Sequence, residues 1–366
     1  MKRRRDGKFV YRRYAGRKSD FMLRDSLFVL LCVLLPACNA GLVSDAGHGL
    51  LQNENVEREG EQKEISITRI APAFEAGKFS FDGTAIFEDG KILSIGYDGE
   101  TFCNMRISTD RGKTWTTRPF TEDRTVLPDS IYFADSQHGW IGGAMGVFRT
   151  IDGGDTWRKT KIDRYLRWTE LSFYGVQKGY LAGKNNLEGD VAGEIWVTSD
   201  GGKTWKRSYM SQRWDSPFSV VALSENVAVA IFNEKHLIRT VDGGKSWREI
   251  KSYDYRTYNL SVDKKGRLWS AGHDGVFYVS SDQGLTWQRP EVLPAGFESI
   301  DWYDIQFVDD RFGFACGNKG AFAVTRDGGK TWERIELNLK DDLYKLYTNQ
   351  AFGIISGFDY VYRIDF

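Results

Sequence analysis

The sequence predicts an all-β fold: a seven-bladed β-propeller of four-stranded antiparallel blades, the last blade closed by the N-terminal strand. Three observations carry that expectation. One eight-residue stretch, Ser/Thr-x-Asp-x-Gly-x-Thr/Ser-Trp, is written six times without exception, ending at Trp115, Trp157, Trp205, Trp247, Trp287 and Trp332. Its aspartates (Asp110, Asp152, Asp200, Asp242, Asp282, Asp327) lie 42, 48, 42, 40 and 45 residues apart, a period that with β-type flanks marks one blade per repeat. The chain after the last stretch, 343–366, supplies about three strands, and 64–70 supplies one orphan strand that resembles the outgoing strand at 332–336. Three plus one make a seventh blade, and the closure removes a sticky sheet edge. Six and eight blades are the alternatives.

Each position of the stretch has a local reason. The fixed Gly supplies the positive φ that a tight hairpin needs. The Asp carboxylate accepts hydrogen bonds from N–H groups of its own turn, and the Ser/Thr hydroxyls add more. The Trp opens the outgoing strand and offers apolar surface to the neighbouring blade. The six aspartates therefore read as structural, and no metal or cofactor is expected. The abundance of aromatics (14%) and Gly (39), with only 7 Pro, fits many short strands joined by tight turns.

The stretch resembles the Asp-box, or BNR repeat, found in sialidases, some glucanases, sortilin-type receptors and the photosystem II stability/assembly factor family. Asp304-Ile305-Gln306-Phe307, Gly139-Trp140-Ile141-Gly142-Gly143 and the run from Thr325 to Trp332 look most like the last of these. That resemblance implies an exported, non-enzymatic scaffold, lipid-anchored in some members, that docks a protein partner on an Arg-bearing face. It does not imply photosynthesis.

Taken in order, residues 1–24 carry ten Lys/Arg, and an apolar run from Leu27 to Ala37 follows. A basic segment, a short apolar run and small residues describe a secretory signal; the run falls short of the about 20 residues that span a bilayer. Leu35-Pro36-Ala37-Cys38 resembles the bacterial lipobox, which makes Cys38 the lipidated first residue of the mature protein; an ordinary signal peptide with an incidental Cys is the alternative. Met22 is an alternative start. The expected organisation is signal 1–37, flexible tether 38–63 and propeller 64–366. Without residues 1–37 the chain has 40 basic and 47 acidic residues, net −7. A mildly acidic domain is a poor nucleic-acid binder. A monomer facing the periplasm or the outside is expected, with the membrane reached through the lipid. Cys103 and Cys316 fall in non-neighbouring repeats and read as two buried thiols, a disulfide being the alternative.

In an antiparallel blade the Asp-box turns share one face with the turns joining first and second strands. The blade-to-blade segments share the other, and they are rich in cations and aromatics. One holds Lys161, Arg164, Tyr165, Arg167 and Trp168; another Arg207, Arg213 and Trp214; a third Tyr255 and Arg256. Arg beside Tyr and Trp is the composition of protein-binding hot spots; the alternative is a solvated rim whose aromatics cover blade junctions. Residues 184–194 lengthen a loop on the same face.

A glycoside hydrolase is the competing class. Glu170 and Asp304 take equivalent positions at the start of inner strands, and a facing carboxylate pair is what that chemistry needs; both can equally accept hydrogen bonds from adjacent segments. The sialidase pattern Arg-Ile-Pro is interrupted here as Arg69-Ile70-Ala71-Pro72, and Arg69 is expected on the outer closing strand, away from a channel.

Overall fold

The computed structural model describes residues 65–70, 83–96, 102–123, 126–144, 146–160, 162, 165–185, 192–213, 215–252, 256–291, 293–357 and 361–366. The signal, Cys38 and the tether lie outside the described residues.

The strands form seven separate antiparallel sheets. Blade 1 comprises Gly83–Ile86, Ile92–Ile95, Asn104–Ser108 and Thr116–Pro119. Blade 2 comprises Pro128–Phe133, Gly139–Gly143, Gly146–Thr150 and Arg158–Thr160. Blade 3 comprises Leu166–Tyr174, Lys178–Asn185, Ala192–Thr198 and Lys206–Arg213, and blade 4 Pro217–Ala222, Ala228–Phe232, His236–Thr240 and Arg248–Ser252. Blade 5 has Thr257–Val262, Leu268–Gly272 and Phe277–Ser280; its fourth strand is reduced to one bridge, Val279 with Gln288. Blade 6 comprises Trp302–Phe307, Gly313–Gly317, Phe322–Thr325 and Glu333–Ile335. In blade 7, Leu343–Thr348, Phe352–Gly357 and Val361–Asp365 are completed by Ser66–Ile70, paired from Ser66 opposite Asp365 to Ile70 opposite Val361. Arg69 lies opposite Tyr362 on that outermost strand. Helix among the described residues amounts to two three-residue 3-10 turns, Phe297–Ser299 and Asn318–Gly320.

The innermost strands touch in ring order, blade 1 meeting blade 7. The core lies between blades. The second strands of blades 2, 4, 5 and 6 are buried at every residue. Strands covered on both faces read as continuous apolar runs, as Ala228-Val229-Ala230-Ile231-Phe232 does. Trp140 of blade 2 stacks on Phe173 of blade 3 with ring centroids 3.6 Å apart, and its Nε1 donates to the Gly201 carbonyl. Trp332 of blade 6 packs edge-on against Phe277 of blade 5 at 5.0 Å.

The Asp-box works at two levels. In the first copy Gly112 N–H donates to Ser108 Oγ (2.8 Å), Thr114 N–H to Asp110 Oδ1 (2.9 Å) and Thr114 Oγ1 to Asp110 Oδ2 (2.6 Å). The sixth repeats these bonds with Gly329, Thr325, Thr331 and Asp327. The Thr114 hydroxyl and N–H hold Asp110 down to about 2. Asp152 and Asp282 also sit at about 2, their Ser/Thr hydroxyl and N–H donors outweighing the opposing push of burial. At the second level, carbonyls of each turn are gripped by the preceding blade. Arg118 donates to Gly154 and Asp155, Lys178 to Gly243, and Arg267 to Gly328. The box therefore latches neighbouring blades as well as closing its own hairpin. At Gly329, φ is +82° and an added Cβ would lie 2.1 Å from the Trp269 ring, so the fixed Gly answers to both dihedral and packing.

Two segments differ from the sequence expectation. Lys206–Arg213 is one eight-residue outer strand, so Arg207 lies within a strand and only 214–216 connect blades 3 and 4. The lengthened interval 184–194 is partly strand, with Asn185 opposite Ala192. The two features share a cause: blade 3 is taller than its neighbours, and each of its strands extends to pair with the next.

Candidate functional site

The inner strands of blades 2 to 7 each carry a register shift at the same level. The shifts fall between Pro128 and Ser130, Arg167 and Glu170, Pro217 and Ser219, Thr257 and Asn259, Trp302 and Asp304, and Leu343 and Lys345. A bulge re-aims side chains and bends the strand that holds it. Repeated around a ring, it aligns one residue per blade: Ser130, Glu170, Ser219, Asn259, Asp304 and Lys345. Inner strands have one edge without a strand partner, and its N–H groups need acceptors.

Those acceptors come from the preceding blade. Thr169 N–H donates to Asp129 Oδ2 (3.3 Å), Val220 N–H to Glu170 Oε2 (3.2 Å), Leu260 N–H to Ser219 Oγ (3.2 Å) and Leu346 N–H to Asp304 Oδ2 (2.8 Å). Asn259 Nδ2 donates to Asp304 Oδ1, as does Ile305 N–H. The result is a polar belt binding blade to blade around a central channel of about 680 Å³ lined from all seven blades.

Lys345 lines this channel, its Nζ 3.8 Å from Glu170 Oε1. The pair joins blade 7 to blade 3. Its side chains are 44% and 27% exposed, and that exposure is to the channel that both line. Burial away from bulk water pushes both Glu170 and Asp304 up from the ordinary carboxylate range, Lys345 opposing the shift. Burial also disfavours the Lys345 charge, but Glu170 and Asp304 outweigh it and raise its pKa. Glu170 and Asp304 thus hold neighbouring strands and share one cation. Asp129, Ser219, Asn259 and Lys345 escaped the sequence reading; superposing the inner-strand segments would have exposed the last three, because each immediately precedes an apolar residue as Glu170 and Asp304 do, whereas Asp129 stands one position earlier, before Ser130.

The structure places the cationic candidates unevenly. Arg167 is largely covered, with Nη2 3.7 Å from Asp129 Oδ1. Tyr165, just before it, is half-buried. Arg207 reaches the fully buried Glu194 carboxylate at 3.2 Å. Arg256 is 58% exposed, with Nε 3.5 Å from Glu234 Oε2. Arg213 and Trp168 lie at strand positions on the face where inner strands begin. Lys161, Arg164, Trp214 and Tyr255 lie outside the described residues. Cys103 and Cys316 are buried in blades 1 and 6 and are not joined.

Residues 107–251 and 292–357, together more than half of the chain, match the family described as photosynthesis system II assembly factor YCF48. The photosystem II assembly lipoprotein Ycf48 of Synechococcus sp. (strain CC9902) is 25% identical over 202 residues, covering 53% of this chain and 57% of that protein. That of Picosynechococcus sp. is 29% identical over 167 residues, covering 44% and 47%. The chain thus matches about half the length of these curated relatives. Among solved structures, YCF48 bound to D1 peptide superposes with a TM-score of 0.62 at 19% identity, covering 82% of this chain and 94% of that one. A GH74 xyloglucanase from Xanthomonas campestris superposes at 0.58 with 13% identity, covering 81% and 53%, a likeness of fold alone. The six Asp-boxes, the seven-bladed ring and the profile match converge: the chain belongs to the YCF48 family of photosystem II assembly factor-like β-propellers.

Proposed function

We propose that this chain is a non-enzymatic assembly factor, exported and held by lipid at Cys38, that docks a segment of a membrane or envelope protein on the face where its inner strands begin. Family membership carries the reading, supported by a relative solved with a peptide bound and by relatives named as lipoproteins. The proposed docking residues are Arg167, Arg213 and Arg256, with Lys161, Arg164, Tyr165, Trp168, Trp214 and Tyr255 near them in the sequence. Arg256, more than half exposed, supports this placement, since an exposed guanidinium can pair with a partner without first leaving a buried site. Arg207, 38% exposed while bonded to buried Glu194, belongs to the same proposed set.

The test is charge reversal. The chain carrying Arg164→Glu, Arg167→Glu and Arg213→Glu would be crosslinked in its host beside the native chain. Loss of the partners recovered with the native chain is expected; an unchanged set would sink the basic-face assignment. Cys38→Ser should move the protein from the membrane to the soluble fraction, and retention in the membrane would remove the lipid anchor.

A further inference from the structure

The bulges at the start of the inner strands extrude one residue each, and in four successive blades that residue is aromatic: Phe218, Tyr258, Tyr303 and Tyr344. Their rings touch in series around blades 4 to 7. Centroids lie 6.4 Å apart from Phe218 to Tyr258, 5.3 Å from Tyr258 to Tyr303 and 5.4 Å from Tyr303 to Tyr344. Phe218 also lines the channel. The two ends of the arc are the wettest, Phe218 at 38% and Tyr344 at 40% exposed.

Resting on the protein-binding reading above, we propose that this arc seats one extended segment of the partner, with alternate apolar side chains against the rings and a cationic residue at the blade 7 end. Three features select that occupant. Alternate side chains of an extended segment recur every ~6.6 Å on one face, close to the spacing of the rings. Tyr303 and Tyr344 stack face to face at 21° and Tyr258 meets Tyr303 edge to face at 65°, so ring faces in the middle of the arc are taken up by neighbouring rings and edges and hydroxyls are left to a partner there. Edges and hydroxyls suit side chains and peptide groups; a sugar would need an open ring face. The charge is complementary at one end: Asp342 accepts from the Tyr344 hydroxyl at 3.4 Å, and no cation pairs with it among the described residues. The Tyr303 hydroxyl has no hydrogen-bond partner among the described residues and is free to serve a peptide carbonyl. Tyr258 is held in place by His273, itself bonded to Asp301 at 3.0 Å.

The probe is a random displayed 12-residue peptide library selected on the full chain, with a glycan array as a second arm. Phe218→Ser/Tyr344→Ser alters two exposed ends and is checked for native thermal unfolding; Tyr303→Phe keeps the ring and removes only the hydroxyl. Selected peptides should converge on alternating apolar residues with Lys or Arg toward one end. They should bind the double variant about tenfold or more weakly, as loss of aromatic anchors does. Peptides that bind the double variant equally, yet are lost on charge reversal at Arg167 and Arg256, overturn the arc and leave the docking face standing. No peptide retained by the native chain overturns both. A glycan retained by the native chain and lost from the double variant overturns the peptide in favour of a sugar.

Discussion

Lys345 shows how much depends on a single side chain. It is the cation shared by Glu170 and Asp304, whose carboxyls burial has already pushed up. A carboxyl raised in the folded state binds protons more tightly there than in the unfolded chain. Its contribution to stability is therefore present at low pH and declines as pH rises through the raised value. Lys345→Met should deepen that decline. Near pH 3, with the carboxyls protonated, the variant should match the native protein. By pH 7 it should have lost roughly 1 kcal/mol, a figure discounted for the water in the channel. Urea midpoints followed by tryptophan fluorescence at several pH values measure this, and adding Glu170→Gln should restore most of the loss.

At the scale of the element, the strand Ser66–Ile70 is the most consequential. Ile65 and Ile67 pack against the core of blades 6 and 7, beside Leu346, Ile355 and Ile364. Deleting 65–70 should leave Val361–Asp365 as a bare edge, and such edges template aggregation. We expect a concentration-dependent rise in light scattering and a lower thermal midpoint, with near-native far-UV dichroism before aggregation. This element was legible in the sequence, because the count of boxes left three strands at one end and one at the other. Blade 3 was less so. Lys206–Arg213 carries six polar residues besides Tyr209 and resembles a loop, yet it is a strand because Ala192–Thr198 beside it runs for seven residues and pairs along it. Strand length there is set by a neighbour, and a segment's own residues do not report its neighbour. The belt was missed for a related reason: Glu170 and Asp304 were visible as a pair, while the bond from Val220 or Leu346 appears only when the ring is closed.

For the whole molecule, the six box aspartates act together against acid. Their pKa values are lowered, to about 2 for Asp110, Asp152 and Asp282, so their stabilisation is complete above about pH 4 and is lost as pH falls through about 2. The protein should therefore unfold steeply between pH 4 and pH 2. Asp152→Asn with Asp282→Asn should flatten that slope, while Glu170→Gln, of opposite sign, should not. Stability titrated against pH by chemical unfolding distinguishes these outcomes; equal slopes in all three would show that the turns contribute nothing to acid resistance.

The pairing of Ser66–Ile70 with Val361–Asp365 also fixes an order of events. The ribosome makes the first of these strands before any blade exists and the second after all the others. Ring closure must wait until Val361–Asp365 has been made, so until then the nascent chain carries an unpaired strand that bears Ile67 and Ile70. A pause late in translation, or a premature stop within the last blade, would leave that strand exposed to chaperones and proteases.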